Sequence, residues 1–272
     1  MTFPPPPPTP LDAQAITQAL GSSAARFAIR CVEQCDSTNS LIVQSPPATD
    51  GRVSVLLAER QLAGRGRRGR TWQSWPGSSL TLSVLWRYPV GTPVPAGLSL
   101  VTGLAVAETL EQLGVIGVQL KWPNDVLVLG QKLCGILIEL QSSRGQPPVA
   151  VIGIGLNLAL PPDADIPSRI GVSDLVSHLS NPPDRNRLAA LLLDTLARYL
   201  DRHAEAGFAA LRSAWQQRNA FADLPVCIEG EDTCLRGRCA GIDDDGALLL
   251  DTATGLQRVL VGDVSLAAEP MP

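Results

Sequence analysis

Between Arg60 and Arg70 five of eleven residues are arginine and three are glycine, and Trp72 follows two places on. No hydrophobic core accepts that composition, because neighbouring guanidinium groups repel and each glycine adds backbone freedom that folding must freeze out. The stretch Ala63-Gly64-Arg65-Gly66-Arg67-Arg68-Gly69-Arg70-Thr71-Trp72 has to be a loop. Arginine presents a planar fork of donors suited to phosphate and carboxylate oxygens, and glycine lets backbone N–H groups approach the same oxygens. The sequence predicts a segment that is mobile when empty and closes over an anion. Other readings compete with this one. A charge run is ordinarily a solvated surface loop, and arginine density also suits nucleic acid. Gly64-x-Gly66-x-x-Gly69 also spells a dinucleotide fingerprint, which fails on context. That fingerprint opens a helix and needs an acid about 20 residues on to hold a ribose. Here Ser79 to Trp86 reads as a strand, and no acid occurs between Glu59 and Glu108.

Net charge over the 272 residues is −4, so the arginine loop is a local feature of an acidic protein, whereas a general nucleic-acid binder is more often basic overall. The length allows one large core, or one large and one small. No apolar run reaches the roughly 18 residues of a bilayer span, and no membrane partner is expected. Met1 to Pro10 is mostly proline, without the basic and apolar regions of a secretory signal, and predicts an extended arm. The cysteines at 31, 35, 134, 227, 234 and 239 form no C-x-x-C pair and lack histidine partners at zinc spacing. They are expected to be reduced thiols of a cytoplasmic protein, with no metal site. His178 and His203 fall in polar contexts and are expected to be solvated, and no Ser-His-Asp or Cys-His system assembles.

Along the chain, Leu11 to Leu20 has helical spacing and stops at Gly21, and Phe27 to Gln34 reads as a strand. Asp36-Ser37-Thr38-Asn39-Ser40 then stands at a strand-to-helix junction, where small polar residues either cap the helix or face a ligand. Val53 to Glu59 and Ser79 to Trp86 are strands, and Leu98 to Leu113 is a helix with Leu98, Val101, Leu104, Ala105 and Leu110 on one face. Val118 to Trp122 is a strand running into Pro123-Asn124-Asp125, and Val126 to Leu140 a hairpin. Val149 to Leu158 is a further strand. Gly135, Gly153 and Gly155 weaken strands unless something approaches the backbone closely, and a ligand lying on the sheet is the expected something. Arg187 to His203 and Gly207 to Asn219 read as helices. From Leu224 the texture is all β, with strands at 226–228, 235–242, 247–251 and 257–266 forming a small barrel-like unit. Its Asp243-Asp244-Asp245 turn is too short for a calcium loop and is expected to be solvated.

Five motifs in this order resemble the biotin protein ligases. They are Asp36-Ser37-Thr38-Asn39, Gln61-x-Ala63 through Arg70-x-Trp72, Lys121-Trp122-Pro123-Asn124-Asp125, Lys132-Leu133-x-Gly135-Ile136-Leu137-x-Glu139 and Gly153-x-Gly155-x-Asn157. The likeness runs from about residue 30 to the end, including Gly246 to Leu250. It implies an α+β fold, a mixed β-sheet backed by helices similar to class II aminoacyl-tRNA synthetases, with a small C-terminal SH3-like β-barrel. It divides the chain into an N-terminal arm and short helix at 1–25, a catalytic domain at 26–222 and the small domain at 223–272. The implied reaction joins biotin and ATP, with Mg2+, into biotinyl-5′-AMP. The biotin then passes to a lysine of a biotin carboxyl carrier protein of acetyl-CoA carboxylase.

By the same resemblance, Ser37, Thr38, Asn39, Gln61, Arg65, Gly66, Arg67, Lys132 and Gly135 bind biotin. Arg67, Arg70, Trp72, Asn124, Lys132 and Asn157 bind the nucleotide, with Trp72 covering adenine. Lys132, Arg67 and Arg70 act on the transition state, and Asp125 either receives the acceptor lysine's proton or anchors its loop. Lys121 is expected to face solvent and Arg68 to point outward. Only 35 residues precede Asp36, which leaves no room for the winged helix-turn-helix of repressor relatives, so no DNA partner is expected. Ala267 replaces a basic residue that some relatives carry. A monomer or homodimer is compatible with the sequence. The competing functions are ligation of another acid such as lipoate, and a nucleic-acid-binding module built on the arginine loop.

Overall fold

The computed structural model describes residues 9–47, 50–88, 96–141, 148–168, 170–229 and 234–267, so most of the proline-rich arm lies outside the described residues. In chain order the first elements are α1 (Ala13–Leu20), β1 (Phe27–Cys35), α2 (Thr38–Gln44), β2 (Val53–Gln61), β3 (Ser79–Arg87), α3 (Leu98–Gln112), β4 (Val118–Lys121) and β5 (Asp125–Val128). Then come β6 (Gln131–Gln141), β7 (Val149–Asn157), α4 (Arg185–Ala206), α5 (Arg212–Gln216), β8 (Pro225–Glu229), β9 (Cys234–Ile242), β10 (Leu248–Thr252), β11 (Gly255–Val259) and β12 (Asp263–Leu266). The chain falls into two compact units. One comprises Met1–Pro93, Leu133–Ile166 and Ser173–Asp194, the other Val94–Lys132, Pro167–Val172 and Thr195–Pro272.

In the first unit, β1 and β2 are parallel, a pairing that requires a crossover, and α2 supplies it. β2, β3, β7 and β6 continue antiparallel, so the sheet is mixed. α2 is seated by Ile42, which packs with Leu56, Leu85 and Val151 of the sheet. That contact fixes the helix start, and with it Ser37 to Asn39, over the sheet. α1 begins where the sequence places it, because Asp12 accepts from the N–H groups of Gln14 and Ala15 at 2.6 and 2.9 Å. The segment ahead of it is anchored. Buried Arg185 bonds the Thr9 carbonyl and both oxygens of Glu59, while Asn186 bonds the Pro10 carbonyl. Burial opposes the charge on Glu59, but Arg185 and the Leu11 N–H outweigh it and hold the carboxyl below its usual range. Burial, then Asp12 and Glu59, push the neighbouring Cys31 thiol up to about 12.

In the second unit, α3 is buried on nearly every side from Leu98 to Leu110, not only along the predicted stripe. The small residues Gly103, Ala105 and Ala107 let neighbours close around it. β4 and β5 pair as a hairpin, and a five-stranded antiparallel sheet has the order β11-β10-β9-β8-β12. The expected strand at 257–266 is two strands on opposite edges, because the chain leaves β11 after Val259 and joins β8 only from Asp263. The expected helix at 207–219 is a short 3-10 turn at Phe208–Ala210 followed by five-residue α5, with Leu211 at φ −111° between them. Two side-chain expectations also change here, while the aspartate turn is exposed as expected. His203 is fully buried, its Nε2 2.7 Å from the Ala96 carbonyl oxygen, because the apolar face of α4 carries it inward. Cys227 and Cys234, placed side by side by the β8–β9 hairpin, form a disulfide, while Cys31, Cys35, Cys134 and Cys239 are free thiols. The aspartate turn is held by Arg258, which bridges Asp243 and Asp245, and by Arg212 on Asp244.

Candidate functional site

The predicted loop folds on itself. Arg65 and Thr71 form a β-bridge, Gly66 N–H donates to the Arg70 carbonyl at 2.7 Å, and Trp72 N–H donates to the Gly64 carbonyl at 2.9 Å. The hairpin turns through Arg67–Gly69, where Arg68 (φ 54°) and Gly69 (φ 72°) take left-handed backbone. Beneath it lies a cavity of about 660 Å³, within the range of small-molecule sites. Its lining runs from Leu62 to Thr71, and Leu137 and Glu139 of β6 complete it. Arg65, Gly66, Arg67 and Arg70 therefore all face one space. Arg67 is half-buried, while Arg65, Arg68 and Arg70 are exposed.

The sheet beside the cavity is cleared of bulk. On one face Gly135 of β6 stands opposite Gly155 of β7, Gly155 opposite Thr81 of β3, and Thr81 opposite Ala58 of β2. The next row is Leu137, Gly153 and Ser83. The close approach inferred at the glycines is real, but two protein side chains make it. A Cβ on Gly155 would stand 2.5 Å from Cζ2 of Trp72, and one on Gly153 would stand 2.5 Å from Asn39 Oδ1. The predicted nucleotide residue Trp72 thus lies against β7. Its Nε1–H is buried and has no hydrogen-bond partner among the described residues.

Ser37, Thr38 and Asn39 are buried at the start of α2. Ser37 occupies the cap position, yet its side chain makes no capping hydrogen bond. Thr38 bonds Gln61 Oε1 through its N–H at 2.7 Å and its hydroxyl at 3.1 Å, and Gln61 N–H bonds Ser74 Oγ at 2.8 Å. Ser83 Oγ lies 2.8 Å from Thr38 Oγ1 and 2.6 Å from Asn39 Oδ1. Asn39 Nδ2 donates to Glu139 Oε2 at 2.7 Å, and Arg65 Nη2 reaches the same oxygen at 2.9 Å. Asn157 is buried, and its Nδ2 donates to the Ser173 carbonyl at 3.1 Å, fixing the segment that follows. Ser173 Oγ lies 2.7 Å from His178 Nε2, while the adjacent Asp174 bonds Ser177 and the Leu160 N–H instead.

Sequence reasoning missed Ser83 and Glu139. Ser79, Thr81 and Ser83 alternate with leucine and valine, which ordinarily marks a solvated face; here all three are buried, Thr81 and Ser83 opposite the β7 glycines and Ser79 opposite Asn157. The usable signal was polar residues and glycines sharing one strand period on neighbouring strands.

The remaining predicted residues belong to the second unit. Lys132 Nζ is 2.6 Å from Asp125 Oδ1, near enough for an ion pair although off the line of a hydrogen bond. Lys121, expected to face solvent, is 3.5 Å from Asp125 Oδ2, and its side chain is only 14% exposed. The short β4–β5 turn brings it back onto that carboxylate. Half-buried Asn124 sits in the same turn. Trp122 Nε1 donates to the Gly246 carbonyl at 3.0 Å, and the Lys132 N–H to the Gly171 carbonyl at 3.2 Å.

Comparison with known proteins decides the family. Residues 32–157 match the Biotin/lipoate A/B protein ligase family, and 225–267 match the biotin protein ligase C terminal domain. The chain is 37% identical to the Biotin--[acetyl-CoA-carboxylase] ligase of Mycobacterium tuberculosis over 94% of its own length and 95% of that protein's. The chain belongs to the biotin protein ligase family. Another member, the Bifunctional ligase/repressor BirA of Salmonella typhimurium, is 37% identical over 94% of this chain and 78% of its own. The family member from Aquifex aeolicus solved in complex with biotin and ATP superposes with a TM-score of 0.74 at 29% identity, covering 88% of this chain and 98% of that one. No described helix is long and apolar enough to cross a membrane.

Proposed function

We propose that this protein joins biotin to ATP and passes the biotinyl group to a lysine of a biotin carboxyl carrier protein. The arginine hairpin over a cavity of about 660 Å³ carries the reading. The first step brings a carboxylate against a triphosphate, so repulsion between anions is the obstacle, and cations aimed at the crowded transition state lower it. A carboxylate oxygen of biotin attacks the α-phosphorus and pyrophosphate leaves. The acceptor amine then attacks the acyl carbon, AMP leaves, and the amine gives up a proton.

In this assignment Ser37, Thr38, Asn39 and Gln61 address the ureido ring, and Gly135 admits the ligand to the backbone. Arg65, Gly66, Arg67 and Arg70 face the acid and phosphates, and Lys132 has the same electrostatic task. Trp72, Asn124 and Asn157 serve the nucleotide, which arrives with Mg2+. Asp125 is the proton acceptor or the clamp on its own lysines. The synthetase-like sheet, the SH3-like reading of β8–β12 and a cytoplasmic location belong to the same proposal. The reading is tested by intact mass after incubating the full chain with biotin, ATP, Mg2+ and a purified carrier domain. One biotinyl group per carrier is expected. Pyrophosphate exchange driven by lipoate and not by biotin would overturn it.

A further inference from the structure

The motif beginning at Lys132 ends on Glu139, a carboxylate to which the chemistry above gives no task. A negative charge is unwelcome in a cavity meant for anions, yet Glu139 lines that cavity beside Arg65, Arg67 and Arg70. Its partners show what it does there. Oε2 accepts from Asn39 Nδ2 at 2.7 Å and from Arg65 Nη2 at 2.9 Å, and the same Arg65 nitrogen lies 3.2 Å from Ser40 Oγ. Asn39 contacts Ser83, Ser83 contacts Thr38, and Thr38 bonds Gln61. A continuous chain of polar contacts therefore runs from the root of the arginine hairpin to the helix start, and Glu139 is its joint.

We propose that Glu139 is a positioning residue that docks the arginine hairpin against α2 and β6, so that the activated acid is retained until an acceptor amine arrives. The proposal rests on the ligase reading. Arg65 faces the cavity and also shares its charge with Glu139, so it holds the hairpin root while it addresses the ligand. The pair is half in solvent, Arg65 47% and Glu139 29% exposed, so it adds little to global stability. Its effect is on where the hairpin sits and how long it stays there.

The test compares the full chain with Glu139→Gln, Glu139→Ala, Arg65→Ala and the double alanine variant. Three quantities are followed: kcat and KM for biotin in pyrophosphate exchange, biotinyl-adenylate released to solution per carrier modified, and the rate of tryptic cleavage at the hairpin arginines. Glu139→Ala is expected to raise KM about tenfold and the leak severalfold, with kcat for exchange changed less than about threefold. Glu139→Gln keeps an acceptor oxygen without the charge and should fall between. The double variant should be no worse than the worse single one, as residues acting through one contact are non-additive. Wild-type KM and leak in Glu139→Ala, or penalties that multiply in the double variant, would overturn the docking role. Absent exchange in the wild type would sink the ligase reading instead, while faster or unchanged cleavage in Glu139→Ala would still decide the docking.

Discussion

Two carboxylates in this molecule each sit among cations, with different charge balance. Asp125 has both Lys121 and Lys132 against it, so the cluster keeps one positive charge in surplus. Glu139 is paired with Arg65 and accepts from a neutral amide, so that pair balances. Surplus charge is what an anionic reactant requires, whereas a balanced pair holds elements in place and leaves nothing over. Each residue type suits its task. The compact ammonium of lysine acts as a point charge, and the flat fork of arginine bridges two acceptors at once.

The largest effect is expected at the surplus. Lys132→Ala should lower biotin-dependent pyrophosphate exchange on the order of a hundredfold with the thermal midpoint nearly unchanged, and Lys121→Ala should lower it only a few fold. Equal losses in the two variants would mean that net charge, and not the Lys132 amine, is what counts. The balanced cluster is best attacked by steric means. Gly153→Ala puts a methyl 2.5 Å from Asn39 Oδ1, where it must push the amide off Glu139. A loss of about 1–3 kcal/mol in urea unfolding is expected, with weaker biotin binding by calorimetry.

Ser83→Ala removes the hydroxyl facing Asn39 Oδ1 and should cost about 1–2 kcal/mol in the same unfolding assay. A neutral result would show that water replaces the serine. The smallest effect concerns the buried base His203. Burial lowers the pKa of His203 below its ordinary 6.5, the Ala96 carbonyl opposing. The unfolded chain thus takes up the proton first, and stability present above pH 6.5 is lost as pH falls below it. His203→Gln should flatten the thermal midpoint between pH 7 and about pH 5; an unaltered slope would assign the acid sensitivity to other groups.

Much of the first unit was legible before any coordinates. The arginine loop excluded itself from a core, β1 to β3 announced themselves by apolar runs, and the misplaced glycines of β7 correctly signalled close approach. The identity of what approaches was not legible, because Asn39 and Trp72 reach Gly153 and Gly155 from distant parts of the chain, and local pattern carries no information about such partners. Ser83, which is buried, and Glu139, which is half-buried, escaped for the same reason: such polar residues look like surface ones until their partners are in place. Cys227 and Cys234 were separated by seven positions with no spacing rule to join them, and only the β8–β9 hairpin makes them neighbours. Lys121 was misjudged because alternation along a four-residue strand says nothing about a side chain that folds back on its own turn.

The chain has just two lysines, and both lean on Asp125, their side chains 14% and 26% exposed. All its other fixed cations are arginine, which activated esters and anhydrides leave untouched. An amine-directed dye or crosslinker therefore finds side-chain targets at that carboxylate alone, which makes covalent labelling a clean reporter on its surroundings. It also means that an enzyme making an acyl donor for amines offers that donor very little of its own surface to modify.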